Sequence, residues 1–143
     1  MEPTTRKNLH DDLRGIVRGE LLFDDSSRSL YACDASLFQV EPAGIVVPRD
    51  EDDLAQLVRY ASDHDISLTA RGAGTGYAGE SLTAGLVVDL SVHFRSILEI
   101  GSDTIRAQPG VTWRELEAAL APLARRLATD LEVPEATLGG VLA

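Results

Sequence analysis

Residues 66–79 run Ile-Ser-Leu-Thr-Ala-Arg-Gly-Ala-Gly-Thr-Gly-Tyr-Ala-Gly. A short β-prone run, 66–70, passes directly into a loop that begins at Arg71 and holds four glycines, Gly72, Gly74, Gly76 and Gly79. Core packing has no use for so many residues without side chains. Glycine instead lets a chain take positive φ and lets main-chain N–H groups approach a ligand closely. Successive N–H groups in such a turn form a nest for phosphate oxygens. Arg71 at the strand end adds a charged fork and Thr75 a hydroxyl.

The flanks give the loop its setting. Upstream, Gly44–Val47 is an apolar run ended by Pro48, which predicts a buried strand. Residues 50–65 predict a helix, with Leu54, Leu57, Val58 and Ala61 on one face and Asp50, Glu51, Asp52 and Asp53 crowding the first turn, where negative charge suits the helix dipole. Downstream, residues 86–90 are nearly all apolar and predict a central strand. Two β-prone runs, Ile97–Ile100 and 104–108, flank Gly101-Ser102-Asp103 as a hairpin, closed by Pro109-Gly110. Residues 112–121 predict a helix with a capping box, Thr112 and Glu115, and an apolar stripe of Trp113, Leu116, Leu120 and Leu123. The first 40 residues predict one helix over 9–20 and a polar connection over 24–29, with Leu30, Tyr31, Leu37 and Phe38 requiring some ordered contact. Strand, helix, strand and hairpin together predict an α/β (α+β) fold: a small sheet with packed helices and a β-hairpin.

Composition sets the limits. The 143 residues suit one ordinary domain, with 44% hydrophobic and 25% charged residues. Net charge is -10, which disfavours nucleic acid and anionic lipid as partners and leaves anion binding to local backbone donors. One cysteine, Cys33, precludes an internal disulfide, and the three histidines show no metal-ligand spacing. The polar start does not resemble a signal peptide, and no apolar run reaches transmembrane length. A cytoplasmic location is expected, peripheral to a membrane only through a partner.

Three kinds of phosphate loop can be compared. A triphosphatase P-loop needs Gly-Lys followed by Ser or Thr, and no lysine is present here. Gly74, Gly76 and Gly79 fit the spacing G-x-G-x-x-G, but a dinucleotide fold also needs a helix opening inside the motif and an acidic residue ~20 positions on. Only residues 80–85 separate the loop from the next strand, and Asp89 comes too early. A glycine loop running directly from strand to strand is what the spacing permits. The plain alternative is a tight surface connection.

The ordered set of Arg71–Gly79 loop, 86–91 strand, Gln108-Pro109-Gly110-Val111 and Thr137-Leu138-Gly139-Gly140 resembles the FAD-binding domain of FAD-linked oxidases. This is the PCMH-type, vanillyl-alcohol oxidase-like domain, nearest its D-lactate and glycolate dehydrogenase branch. The resemblance covers residues 30–143 and implies the first subdomain of that fold, residues 39–143, with 1–38 as a helical or irregular extension. It implies a FAD diphosphate held by Arg71, Gly72, Ala73, Gly74, Thr75 and Gly76, with Gly79 shaping the loop. Pro48 would lie on the adenine side, and Gly110, Thr137, Gly139 and Gly140 toward the ribityl chain or flavin. Some members attach FAD through a loop histidine; none occurs here, so non-covalent FAD is implied.

The same resemblance implies an oxidoreductase acting on CH–OH groups of a 2-hydroxy acid such as D-lactate or glycolate, with electrons passing to a quinone, cytochrome or iron–sulfur acceptor. Residues 126–136 depart from the family pattern, and the family's substrate domain has no counterpart here, so a fragment is expected and no catalytic acid or base is identified. A non-catalytic nucleotide-binding module and an electron-transfer flavin subunit are the alternatives. Trp113 reads as core, Asp89 as structural, Cys33 as a buried or incidental thiol, and Asp50–Asp53 as a solvated helix start. Tyr77 suits stacking on a ring and packing equally.

Overall fold

The computed structural model describes residues 3–129 and 131–143. The expectation for 126–136 therefore includes one position, Asp130, outside the described residues. Elements follow in the order α1 (Pro3–Arg14), β1 (Glu20–Leu22), α2 (Asp25–Tyr31), β2 (Gly44–Val47), α3 (Glu51–Asp63), β3 (Leu68–Arg71), β4 (Leu86–Asp89), β5 (Ile97–Ile100), β6 (Ile105–Ala107), α4 (Trp113–Leu120) and α5 (Leu138–Leu142). Strands β1-β2-β4-β3 form one sheet in that spatial order, and β5-β6 a separate antiparallel pair.

β4 is central, as its unbroken apolar run predicts: it pairs parallel with β2 on one side and β3 on the other. All four of its residues and all four of β2 are buried. Alternate side chains of these strands serve opposite faces of the sheet. Val46, Leu86 and Val88 pack with Leu9, Leu13, Val17 and Leu57 beneath α1 and α3. Ile45, Val47 and Val87 face the other way, toward Leu22 and Tyr31. A further core gathers Val111, Trp113 and Leu116 with Ile97, Ile105, Leu138 and Val141, so that hairpin, α4 and α5 form one packed unit. Because β2, β4 and β3 are parallel, their carboxyl ends share one edge, and the glycine loop leaves from that edge. In open α/β sheets this is where ligands bind.

Several local expectations differ from the structure. The helix expected over 9–20 is α1, which ends at Arg14. Gly15 and Gly19 stop it, and a Cβ at Gly19 would overlap the Val47 carbonyl, so the close approach that lets β1 pair antiparallel with β2 requires glycine. The polar stretch 24–29 is largely helical, since Asp24 caps α2 by accepting from Ser27 N at 2.9 Å. On α3, Val58 is exposed and Asp53 is wholly buried, so Asp53 is no part of a solvated helix start. Its carboxylate accepts from the backbone N–H groups of Arg18 (3.1 Å) and Arg49 (3.0 Å). Leu123 is exposed because α4 ends at Leu120 and a 3₁₀ turn carries Ala124 to φ 54°. The capping box at Thr112 and Glu115 is present with both reciprocal bonds. Thr137-Leu138-Gly139-Gly140, expected as a turn, caps and opens α5.

Candidate functional site

Arg71 closes β3, and its carbonyl still accepts from Leu90 N at 3.0 Å. Beyond it the ladder ends. Among the described residues, the main-chain N–H groups of Gly72, Ala73, Gly74, Thr75, Gly76 and Tyr77 donate to no protein acceptor, and the Thr75 hydroxyl has no protein partner. Gly72, Gly74, Thr75 and Gly76 are half-buried and Ala73 and Tyr77 exposed, so this run of donors is open to an incoming acceptor. Gly74 has φ 66° and Gly79 φ 79°, conformations that a side chain strains. A Cβ on Gly74 would also come within 2.6 Å of Arg71 Nη2, and one on Gly72 would overlap Thr137 Oγ1.

A segment that follows α2 braces this loop. Arg71 Nη1 donates to the Tyr31 carbonyl (3.3 Å) and Nη2 to the Cys33 carbonyl (2.7 Å), with the guanidinium 5.2 Å from the centre of the Tyr31 ring. Ala35 N donates to the Gly74 carbonyl at 3.1 Å. Ser81 Oγ donates to Asp34 Oδ2 at 3.0 Å. Phe38 lies over Gly79, where a Cβ would be 3.0 Å from its ring. The Tyr31 hydroxyl donates to Asp89 Oδ2 at 2.5 Å, while Asp89 Oδ1 accepts from Ser91 N and Oγ, each at 2.7 Å. Burial, then Asp89, pushes the Tyr31 hydroxyl far above its ordinary range, so it stays protonated and remains a donor. Burial also works against the charged form of Asp34, but hydrogen bonds from Ser36 and Ser81 and the charge of Arg71 outweigh it and hold the carboxyl below its usual value. Asp34 and Asp89 are both committed to protein hydrogen-bond donors, and Arg71, in no ion pair among the described residues, is the cation at the loop.

The expected site residues fall into two groups. Arg71, Gly72, Ala73, Gly74, Thr75, Gly76 and Gly79 form the loop, and Thr137 is brought against it through Gly72. Gly139 N donates to the Pro109 carbonyl at 2.8 Å, placing the α5 turn beside the 108–111 segment, and Gly140 N donates to Thr137 Oγ1 at 3.4 Å. Gly110 is buried where a Cβ would overlap the Leu90 carbonyl, so it serves a close backbone approach behind the loop. Pro48 follows β2 at the same sheet edge, with its side chain buried. Tyr77 is exposed, as is Cys33, which leaves the second of the two expectations for it, an incidental thiol. Reading the sequence missed the brace from Tyr31 to Phe38; Tyr31 and Asp34 carry no local motif, and only the fold brings them to residues 71–81. Two cavities, of about 420 and 470 Å³, lie elsewhere, one of them between α1 and α3 at the opposite ends of β3 and β4.

The free donors, the unpaired cation and the absence of side chains that would fill the space suit an extended, doubly charged group such as a diphosphate. Among the described residues no helix is long and apolar enough to cross a membrane.

Comparison with known proteins agrees with this geometry. Residues 42–143 match the FAD binding domain family. The chain is similar to D-2-hydroxyglutarate dehydrogenase of Pseudomonas putida, 39% identical over 131 residues, covering 87% of this chain and 13% of that protein. It is also similar to a glycolate oxidase subunit of Bacillus subtilis, 36% identical over 101 residues, covering 66% of this chain and 22% of the relative. The chain thus spans about an eighth of the length of the first of these and under a quarter of the second. Among solved structures, an alkyldihydroxyacetonephosphate synthase superposes with a TM-score of 0.81 at 20% identity, covering 99% of this chain and 29% of that one, which establishes the fold. The chain belongs to the FAD binding domain family, with the fold of the PCMH-type FAD-linked oxidases, and FAD is the cofactor this membership assigns to it.

Proposed function

We propose that the glycine loop holds the diphosphate of non-covalently bound FAD, and that the chain is the FAD-binding part of an oxidoreductase that dehydrogenates a 2-hydroxy acid. The run of unpaired N–H groups from Gly72 to Tyr77 beside Arg71 carries this reading. In it Gly72, Ala73, Gly74, Thr75 and Gly76 supply main-chain donors, Thr75 a hydroxyl, and Arg71 a charged fork matched to phosphate oxygens. Gly79 sets the exit of the loop. Thr137, Gly139 and Gly140 border the ribityl side, held through the Pro109 and Val111 carbonyls on either side of Gly110, and the Val47–Pro48 strand end bounds the adenine side. In this reading the FAD unit is residues 39–143, and the described part of 1–38 adds α1, the edge strand β1 and α2 to it.

FAD, when bound, supplies the two-electron acceptor for oxidation of the substrate C–H bond; the chain's own part is binding, orientation and electrostatics. D-2-hydroxyglutarate, named for the Pseudomonas relative, is the first substrate to test in a full-length protein, followed by glycolate and D-lactate. A quinone, cytochrome or iron–sulfur protein would receive the electrons, with the enzyme cytoplasmic and peripheral to the membrane where its acceptor resides.

Titration of the purified chain with FAD, ADP and riboflavin tests the cofactor. The reading expects quenched flavin fluorescence and a raised Tm with FAD, stabilisation approaching about 2.7 kcal/mol at a hundredfold excess over Kd. ADP should bind more weakly and riboflavin, lacking the diphosphate, weakest. Equal responses to FAD and ADP would favour a general nucleotide module, and no response to either would defeat the proposal.

A further inference from the structure

Arg71 is oriented in an uncommon way. An arginine is commonly fixed by a carboxylate, which also cancels its charge. Here two main-chain carbonyls, of Tyr31 and Cys33, and the face of the Tyr31 ring hold the guanidinium, while the nearby buried carboxylate of Asp89 bonds to the Tyr31 hydroxyl instead. Asp89 is 4% exposed and sits at the end of the central strand, its second oxygen fixed by Ser91. The chain of contacts runs from β4 through the Tyr31 side chain to the Tyr31 carbonyl and then to Arg71. It ties the cation to the sheet without a direct ion pair, while the charge of Arg71 still reaches Asp34.

We infer that Tyr31 and Asp89 are positioning residues for Arg71, setting the guanidinium at the mouth of the glycine loop so that its charge is available to a bound diphosphate. The inference rests on the proposed diphosphate site, but its first part, the orientation of Arg71, exists without any ligand. Tyr31→Phe keeps the ring and the carbonyl and removes only the bond to Asp89. Asp89→Asn removes the charge while retaining an acceptor oxygen, and serves as the second variant.

Two measurements on the full chain test the inference. Without ligand, NMR of the arginine side chains should show separate, slowly exchanging Nη signals for Arg71 in the unmutated protein, averaging in Tyr31→Phe; averaged signals in both, or separate signals in both, overturn it. With FAD, Tyr31→Phe should weaken binding about 3- to 10-fold, the range expected for one lost hydrogen bond. In an Arg71→Gln background the same change should have no further effect, because residues acting through one group are not additive. An equal loss in both backgrounds would mean that Tyr31 merely supports the fold, and an unchanged affinity would mean that it does not act on the site; either overturns the inference. If the unmutated chain fails to bind FAD, the proposed function falls, while the Nη signals still decide whether Tyr31 orients Arg71.

Discussion

Gly74 shows how little freedom the loop leaves to a single residue. Its φ of 66° lies in the left-handed region, and the space a methyl group would occupy lies against Arg71 Nη2. A left-handed conformation costs an ordinary residue about 1–2 kcal/mol. Gly74→Ala is therefore expected to lower stability by about 1 kcal/mol, and to weaken FAD binding by more than that loss accounts for, because the guanidinium must move. Thermal melts and FAD titration of the same variant separate the two effects; unchanged affinity would show that Arg71 is not at the ligand. At this scale the sequence was informative wherever a residue type has few uses. Four glycines beside an arginine suit few purposes, a phosphate nest and a tight connection among them. Tyr31, Asp34 and Asp89 have many, and their role depends on neighbours up to 58 positions away, as with the bond from Tyr31 to Asp89.

Among the elements, α3 was legible because its apolar spacing is regular, yet its acidic start concealed a buried anchor. Asp50 caps the helix, while Asp53, one turn in, points inward and fixes the 18–19 corner and the exit of β2. Burial alone would raise the Asp53 pKa, but the Arg18 and Arg49 N–H groups and the Arg18 side chain overcome it and hold it below its ordinary 3.8. A carboxyl depressed in the folded state stabilises fully above the unfolded value, and that contribution is lost as pH falls through the lower folded value. Asp53 thus contributes to acid unfolding below about pH 4. Asp53→Asn is expected to cost about 2 kcal/mol at neutral pH, the scale of hydrogen bonds to a charged acceptor, and to flatten the acid limb of a stability-against-pH curve. An unaltered acid limb would show that Asp53 is not ionised in the folded protein. Asp53 shares the buried helical face of Leu57 and Ala61, four and eight residues on, whereas Asp52 is exposed; the run of acidic residues hid this register.

The whole molecule is organised around one edge of one sheet. Parallel pairing of β2, β4 and β3 sends three strand ends to that edge, the chain leaves β3 there as the glycine loop, and the segment that follows α2, residues 31–38, braces it. The strand–helix–strand order and the hairpin were evident in apolar periodicity and turn residues. The edge strand β1 and the helix α2 were not, because each is short and depends on tertiary contacts rather than on its own pattern. The net charge of -10 is consistent with a site that relies on aimed backbone donors and one cation instead of a basic surface.

Backbone amide NMR during an FAD titration tests the central claim directly. The account predicts that the largest and earliest shifts fall on the N–H groups of Gly72, Ala73, Gly74, Thr75, Gly76 and Tyr77, and that ADP reproduces them while riboflavin does not. Shifts confined to other parts of the chain, such as the cavity between α1 and α3, with these six signals unmoved at saturating FAD, would contradict it.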